Sequence, residues 1–318
     1  MPYANLDGRS RYSSLGRILR WQLGWHEEKR PRTPGTGVPV PVIANDGRAL
    51  RKATADALTW IGHASFLIQL GGRSALIDPV MSPSIAGFIG RNVAPGLAWS
   101  ALPKIDLVMV THNHRDHMDV PTLKRLGPDA VYAVPLGLGR WFERSGLRQV
   151  VEMAWWQQEE IAGLNVTFVP AEHWSRRWLF DTNATWWGGF VIERGGLRVY
   201  HSGDTAWFDG FTQIGARCGE IHAAMLPIGA YAPRWFMRSQ HMDPGEAVRA
   251  YTALGAKRFV AMHWGTFKLT DEDLREPPML LREIWQREQR PEAPLAIPAI
   301  GETLLLDGRG IARRPVEK

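Results

Sequence analysis

The chain has 318 residues, of which 45% are apolar, enough for a substantial core in one large domain or two small ones. Its single cysteine, Cys218, excludes an internal disulfide bond and a thiolate-rich metal site, so any metal ligands must be nitrogen and oxygen atoms, and it indicates a reducing compartment. The formal net charge of +6 favours an anionic partner, such as a phospholipid head group, a nucleic acid or a phosphorylated substrate, without choosing among them.

Residues 1–56 form the first of two predicted regions. Residues 9–25 predict a loosely amphipathic basic helix, which suits either a membrane surface or the protein's own body. Residues 30–42 are rich in proline and predict an extended arm. The first residues lack the layout of a signal peptide, and no apolar run approaches the roughly 20 residues of a membrane-spanning helix. We therefore expect a cytoplasmic protein, peripheral on the inner face of the membrane if residues 9–25 bind lipid.

Residues 57–318 form the second predicted region, an α/β catalytic domain. Short apolar strands and turns are followed by mixed strands and helices, and this pattern occurs twice. Strands are predicted at 58–61, 65–70, 74–77, 105–110, 165–169, 187–193, 197–201 and 259–262, and helices at 121–126, 137–144 and from 244 onward. Asp243 and Glu246 form the capping-box signature of the last helix. The repeated pattern implies two sheets packed face to face with helices outside.

The predicted strand at 105–110 runs into Thr-His-Asn-His-Arg-Asp-His-Met-Asp, which holds four candidate metal ligands: His112, His114, Asp116 and His117. Imidazole and carboxylate groups suit zinc or a neighbouring divalent ion, and a H-x-H-x-D-H string after an apolar strand directs several ligands to one point. A solvated face or a core stripe does not explain the set, because alternating polar residues at a strand end would bury unpaired groups. The string therefore predicts a metal site.

Three more candidate ligands, His173, Asp204 and His263, follow at long intervals, each at a predicted strand end or just beyond. No core role suits His173, whereas Asp204 taken alone fits a turn equally well and His263 taken alone is equally ambiguous. Loops on a rigid scaffold can converge on one pocket, so the seven residues together indicate a two-metal hydrolase site. A structural metal site usually needs only four ligands.

Five further strings carry a resemblance to a known family. They are His-Trp-Ser-Arg-Arg from His173, Ser-Gly-Asp-Thr from Ser202, Leu-Pro-Ile-Gly-Ala-Tyr from Leu226, Gln-His-Met-Asp-Pro from Gln240 and Met-His-Trp-Gly-Thr-Phe from Met262. With the histidine string, the chain from about 60 to 278 resembles the metallo-β-lactamase-fold hydrolases, and more narrowly the branch that contains N-acyl-phosphatidylethanolamine-hydrolysing phospholipase D. The resemblance implies a four-layer αββα sandwich with metals along one edge of the paired sheets. Residues 1–56 show no such match.

The resemblance also implies roles for individual residues. It assigns the first metal to His112, His114 and His173, and the second to Asp116, His117 and His263, with Asp204 bridging them. Asp116 and His241 would be catalytic, His241 by hydrogen-bonding the scissile phosphate or the leaving group, although a histidine preceding a helix is also an ordinary surface residue. Asp78 and His63 are expected behind the ligands, and Trp174, Arg176, Arg177, Tyr231 and Trp235 are expected at the substrate.

Asp78 has a physical argument of its own, because a metal-bound imidazole usually needs a partner for its second ring nitrogen. The alternative is a simple Asp-Pro turn. His63 matches the family string Ile-Gly-His-Ala-Ser without a clear role.

The expected activity is metal-dependent hydrolysis of a phosphodiester by a bridging hydroxide, with a phospholipase-D-like cut of an N-acylated phospholipid as its most specific form. The expected cofactors are two divalent metal ions, zinc first, with manganese, iron or nickel as alternatives. A lactonase acting on a small or phosphorylated lactone is the alternative in the same fold. A non-catalytic metal-containing protein that binds anionic membrane or nucleic acid is the alternative of another class.

The partner is expected to be a small molecule or a phospholipid, and nucleic acid is disfavoured because no extra nuclease domain is visible. Paired tryptophans leave a homo-oligomer open, since they suit a subunit interface or a lipid groove.

Overall fold

The computed structural model describes residues 2–12, 14–52, 55–291, 294–307 and 310–313. The α-helices within them are α1 (Leu15–Gln22), α2 (Val120–Leu126), α3 (Gly139–Arg144), α4 (Gly210–Cys218), α5 (Arg234–Met237), α6 (Pro244–Leu254) and α7 (Glu276–Arg287). The strands are β1 (Ala57–Gly62), β2 (Ser65–Leu70), β3 (Arg73–Ile77), β4 (Ser84–Ile85), β5 (Ile89–Gly90), β6 (Leu107–Met109), β7 (Val131–Pro135), β8 (Val150–Met153), β9 (Gln158–Ile161), β10 (Leu164–Val169), β11 (Gly189–Arg194), β12 (Leu197–His201), β13 (Ala223–Pro227), β14 (Phe259–Met262), β15 (Leu295–Ala296), β16 (Thr303–Asp307) and β17 (Gly310–Arg313).

Two large mixed sheets organise the chain. The first has the strand order β17-β16-β1-β2-β3-β6-β7-β8, and the second has the order β15-β14-β13-β12-β11-β10-β9. In the first sheet β1, β2 and β3 are antiparallel neighbours, and β3, β6, β7 and β8 run parallel. In the second sheet β9 to β12 are antiparallel, and β12 to β15 run parallel. The predicted pair of meanders, each followed by mixed strands and helices, is therefore confirmed.

Alternating side chains along the strands generate four layers. In β6, Leu107 and Met109 face the main core, whereas Val108 packs with Leu123 of α2 and Phe142 of α3. This is the period of two expected when both faces of a strand are covered. The main core joins side chains of both sheets and continues to α6 and α7. The predicted αββα sandwich is confirmed, with its core between the sheets.

Most predicted elements have bounds close to the observed ones. The strands at 65–70, 197–201 and 259–262 match β2, β12 and β14 residue for residue. The capping box is also confirmed, since Glu246 N–H donates to Asp243 Oδ1 at 2.9 Å and Asp243 N–H donates to Glu246 Oε2. The strand predicted from 187 begins instead at 189, because the N–H of Gly188 donates to Thr111 O rather than to a neighbouring strand.

The basic helix predicted over 9–25 is shorter in the structure, where α1 covers only 15–22. Arg11 is tied instead to Glu172, and Gly24 has a left-handed φ of +67° that ends the helical path. The ring of Trp21 stacks on Phe236 at 5.0 Å between centroids, so one side of α1 lies on the protein's own body. Among the described residues, none of the helices has both the length and the apolar character to cross a membrane. The division at residue 57 stays a prediction.

Three of the paired tryptophans, Trp155, Trp186 and Trp187, pack on one another. Trp155 donates its indole N–H to Trp187 O at 2.6 Å, and its ring lies 4.4 Å from that of Trp186. Trp187 is buried. These side chains thus serve internal packing, and the homo-oligomer stays a prediction.

Candidate metal centre

All seven predicted ligands converge on one edge of the sandwich, where parallel strands end. His112 to His117 follow β6, Asp204 follows β12 and His263 follows β14, while His173 lies four residues past β10. Carboxyl ends of parallel strands share an edge of their sheet, and here those edges of both sheets face each other. Topology therefore brings together residues up to 151 positions apart.

Three residues of the centre have left-handed backbone conformations that non-glycine residues rarely adopt: His63 (φ 55°), Asp78 (φ 43°) and His263 (φ 63°). Such a conformation costs of the order of 1–3 kcal/mol each and persists only where the surroundings enforce it. Here His263 N–H donates to His63 O at 2.9 Å, and His63 N–H donates to Thr266 Oγ1 at 2.8 Å. The turn between β1 and β2 and the loop after β14 thus hold each other in place.

Asp78 organises the ligand string from behind. Its carboxylate accepts the Thr111 N–H at 2.7 Å, the Thr111 hydroxyl at 2.7 Å and His117 Nδ1–H at 2.7 Å, and it is fully buried. Because the only hydroxyl proton of Thr111 goes to Asp78, His112 must donate its Nδ1–H to Thr111 Oγ1, which lies 2.9 Å away. His112 and His117 therefore both direct Nε2 toward the centre.

His173 is oriented in the same way by a backbone carbonyl. Its Nδ1 lies 2.9 Å from Gln240 O, which can only accept, so Nδ1 carries the proton and Nε2 carries a lone pair. This is the arrangement in which metal-bound histidines usually donate their other ring N–H to an acceptor.

The first donor group consists of His112, His114 and His173. His112 Nε2 lies 2.9 Å from His114 Nδ1, which lies 3.2 Å from His173 Nε2. Three nitrogens each about 2.05 Å from one tetrahedral zinc ion would be about 3.3 Å apart. The spacing fits a shared divalent ion.

The second donor group consists of His63, Asp116, His117 and His263. Asp116 Oδ2 lies 3.1 Å from His63 Nε2, 3.7 Å from His117 Nε2 and 3.9 Å from His263 Nε2. His63 is thus close enough to be a donor itself, rather than only a residue behind the ligands.

Asp204 lies between the two groups. Its Oδ2 is 3.1 Å from His117 Nε2 and about equally far from two members of the first group, 4.0 Å from His112 Nε2 and 3.9 Å from His173 Nε2. Its Oδ1 is 3.1 Å from His263 Nε2. One carboxylate therefore faces both donor groups.

Buried polar atoms without a hydrogen-bond partner test whether cations fit this site. Among the described residues, those that face the donor groups include His117 Nε2, Asp204 Oδ1, His241 Nδ1 and His263 Nε2. Leaving one such atom unpaired costs about 1–3 kcal/mol, so this concentration at one point is explained if cations complete the contacts. The donor set and its unpaired atoms fit divalent metal ions.

The electrostatics agree with that fit. Burial lowers the pKa of His63 and His114 to about 3 and that of His173 to about 4, which keeps them neutral at pH 7, the form that binds a metal. Burial also lowers the pKa of His117, but the carboxylates of Asp204, Asp78 and Asp116 outweigh it and raise this pKa well above the ordinary value. The centre therefore favours a positive charge.

His241 and Asp116 mark the open side of the centre. The side chains of His241 and Asp116 are 13% and 16% exposed and His114 is also half-buried, whereas the side chains of His112, His117, His173, Asp204 and His263 are at most 2% exposed. His241 Nδ1 lies 4.0 Å from Asp204 Oδ2, and burial lowers the pKa of this imidazole well below its usual value. With His173 and Asp204 it could also hold a metal ion.

The structure brings some of the predicted substrate contacts to the centre. The ring of Trp174 lies edge-on to His114 at 4.5 Å, and Arg176 lies over Trp174 at 5.4 Å. Arg177 instead donates to the carbonyls of Asn113 and Met118, so it braces the loop that carries the ligand string.

The other two predicted contacts are engaged elsewhere. Tyr231 is buried and its hydroxyl donates to Glu276 at 2.6 Å, so it offers no free hydroxyl to a substrate. Trp235 is half-buried, with the guanidinium groups of Arg17 and Arg20 over its ring. Neither position could be judged from sequence, since both contacts are with distant segments.

Sequence reasoning missed Thr111 and Gln240. Thr111 directly precedes the ligand string at the strand end, which was a usable signal for a residue behind the ligands. Gln240 acts through its backbone carbonyl, which no residue type reveals.

Two facing sheets with histidine and aspartate clusters at their edge define the class: a metal-dependent hydrolase of the metallo-β-lactamase fold. The sequence model of the β-lactamase superfamily domain matches residues 73–264, more than half of the chain. The chain therefore belongs to the β-lactamase superfamily.

Two enzymes with the same activity in their names are among its relatives. N-acyl-phosphatidylethanolamine-hydrolyzing phospholipase D 1 of Caenorhabditis elegans is 36% identical over 244 residues, which are 71% of this chain and 68% of that protein. The mitochondrial N-acyl-phosphatidylethanolamine-hydrolyzing phospholipase D of Saccharomyces cerevisiae is 32% identical over 255 residues, which are 76% of this chain and 53% of that protein.

A solved structure supports the fold. The isothiocyanate hydrolase from Delia radicum gut bacteria superposes with a TM-score of 0.61 over 78% of this chain and 98% of its own, at 20% identity. At that identity the likeness shows the fold and carries no statement about substrate.

Proposed function

We propose that the protein hydrolyses a phosphodiester with two divalent metal ions, and that its substrate is an N-acylated phospholipid. The position of Asp204 carries the proposal, because its carboxylate faces both donor groups at once. A bridging carboxylate has no use in a site with a single structural ion. Many phosphodiester-cleaving enzymes use pairs of metal ions roughly 3.5–4 Å apart.

The proposed ligands follow the two donor groups. His112, His114 and His173 would hold the first ion, and Asp116, His117 and His263 the second, with Asp204 shared. His63 adds a donor to the second group. Nitrogen and oxygen donors suit zinc first, and also manganese, iron or nickel, because availability as well as affinity selects the metal.

When bound, such a pair of ions supplies hydroxide at neutral pH and stabilises charge on the phosphate oxygens. Hydrolysis then forms a bond between hydroxide oxygen and phosphorus and breaks the bond to the head-group oxygen, so the lipid keeps the phosphate and the head group leaves as an alcohol. We assign Asp116 and His241 to this reaction because they lie on the open side. In this proposal His241, whose Nδ1 lies 4.0 Å from Asp204 Oδ2, hydrogen-bonds the scissile phosphate or the departing oxygen.

A lipid substrate is supported by large apolar side chains exposed beside the ligand loop. Trp178, Leu179 and Phe180 follow His173 and are 66%, 81% and 99% exposed, and the guanidinium of Arg115 lies 5.0 Å from the Trp178 ring. A cavity of about 530 Å³ is lined by Arg115 and Arg177, together with Asp119. Cationic groups beside apolar ones suit a substrate that carries both a phosphate and an acyl chain.

Residues 9–25 add a second exposed apolar surface in the proposal, as a peripheral contact with an anionic membrane. While Trp21 docks on the protein, Leu15, Leu19 and Trp25 are 66%, 45% and 69% exposed. An interfacial helix needs an apolar face outside the fold together with basic residues, and α1 carries both. The two relatives named above, which hydrolyse N-acyl-phosphatidylethanolamine by name, add support for this lipid class.

The test combines metal content per chain with turnover in the same preparation. Bis-p-nitrophenyl phosphate and an N-acyl-phosphatidylethanolamine are offered to the wild type, to His112→Ala and to the matched control His222→Ala, a histidine paired with Glu220. We expect about two metal ions per chain, cleavage of both substrates by the wild type and the control, and none by His112→Ala. Turnover that survives His112→Ala overturns the proposal. If the protein binds two ions but turns over lactones faster than phosphodiesters, the lactonase alternative is favoured.

A further inference from the structure

The N-terminal segment, residues 2–12, lies directly on the loop that carries His173. Asn5 is buried, and every hydrogen-bonding position of its amide is used. Its Nδ2 donates to His173 O at 2.9 Å and to Arg9 O at 3.0 Å. Its Oδ1 accepts His173 N–H at 3.1 Å and the indole N–H of Trp187 at 3.1 Å. One side chain therefore binds both backbone groups of His173.

Contacts on either side of Asn5 hold the same segment in place. Tyr3 N–H donates to Asn183 O at 2.8 Å, and Arg11 forms an ion pair with the buried carboxylate of Glu172. The ring of Tyr12 packs against Trp174 at 5.3 Å. The segment thus spans the loop from 172 to 183.

His173 depends on such outside support because it lies between strands. Apart from a single bridge between Glu172 and Ala206, residues 170–188 belong to none of the described strands or helices. Gln240 O fixes the ring of His173 through Nδ1, whereas Asn5 binds the backbone N–H and C=O of His173. Without the amide, the N–H and C=O of a buried loop residue would lose their partners.

We propose that Asn5 is a positioning residue for the metal ion held by His112, His114 and His173, and that the N-terminal segment completes this half of the centre. The inference rests on the proposed role of His173 as a ligand. The match to the superfamily begins at residue 73, so the support comes from outside the matched part of the chain. Loss of a residue behind a metal ligand typically weakens metal binding 10–100-fold.

The experiment uses Asn5→Ala and Asn5→Asp in the full chain. Asn5→Asp keeps the shape and one acceptor but replaces both N–H donors by a carboxylate oxygen that faces two carbonyls. The matched control is Asn45→Ala, because the Asn45 amide also donates to a backbone carbonyl (Gly301 O, 2.9 Å) and accepts a backbone N–H (Gly47). The affinity of each zinc ion is measured by chelator competition, with urea unfolding of each protein as the stability readout.

We expect both Asn5 variants to bind one of the two ions about 10–100-fold more weakly and the other within about threefold of the wild type. Asn45→Ala should bind both ions as the wild type does, and turnover of the Asn5 variants should recover at high metal concentration. Wild-type affinity for both ions in Asn5→Ala overturns the proposal. Equal loss of affinity for both ions, in proportion to lost stability, also overturns the proposal. A wild type that binds no metal overturns it as well. Failure to cleave phosphodiesters with both ions bound would refute only the proposed function.

Discussion

Replacing Asp78 by asparagine tests how the ligand string is held. Both oxygens of Asp78 receive donors only, from Thr111 and His117. An asparagine keeps one oxygen and puts an NH₂ group where the other stood, so at least one donor then faces a second donor. Asparagine tolerates the left-handed φ of 43° as aspartate does, which removes backbone strain as an explanation.

The magnitude follows from those contacts. A hydrogen bond to a charged group contributes about 1.5–3 kcal/mol, and a buried donor without a partner costs about 1–3 kcal/mol. We expect Asp78→Asn to lower the free energy of unfolding by about 2–4 kcal/mol. Because His117 loses the acceptor that fixes its ring, we also expect metal affinity to fall about 10–100-fold.

Urea unfolding and chelator competition measure the two effects. Asp106→Asn is the matched control, because Asp106 Oδ2 also accepts a backbone N–H, that of Ser74 at 2.9 Å, on the same pair of strands but at their other end. Its metal affinity should equal that of the wild type. If Asp78→Asn binds both ions within about twofold of the wild type, the role assigned to Asp78 is refuted.

Two further predictions concern the surroundings of the centre. Arg177→Lys should lower the free energy of unfolding by about 1–3 kcal/mol, because one ammonium group cannot replace the guanidinium contacts to two carbonyls. Urea unfolding measures the change, with Arg198→Lys as the comparison. Unchanged stability of Arg177→Lys would contradict the bracing role. Replacing Leu15 and Leu19 together by aspartate should reduce binding to phosphatidylglycerol vesicles at least about tenfold in co-sedimentation, whereas Met279→Asp, at an equally exposed site on α7, should not. Equal binding by all three proteins would exclude α1 as the membrane contact.

Local features of the chain were predictable because they depend on near neighbours. The string from His112 to His117 follows an apolar strand, and the capping box at Asp243 lies within a single turn of helix. Alternating apolar residues predicted the strands, and five further strings predicted the family. The helix α1, by contrast, was predicted too long, because its limits depend on a long-range contact. Arg11 binds Glu172, which lies 161 positions away.

The amino-acid sequence by itself predicted two facing sheets and the segments that carry the candidate ligands, from periodicity, capping and spacing along the chain, and its motif strings carried the resemblance to the superfamily. Only the tertiary structure decided that Asp204 faces both donor groups, that His63 joins Asp116, that Tyr231 is turned away to Glu276 and that Asn5 holds His173. Each of these contacts joins segments far apart along the chain, which meet only when the sheets and the loops around them pack together. Their geometry is set by that packing, which no local pattern of residues encodes.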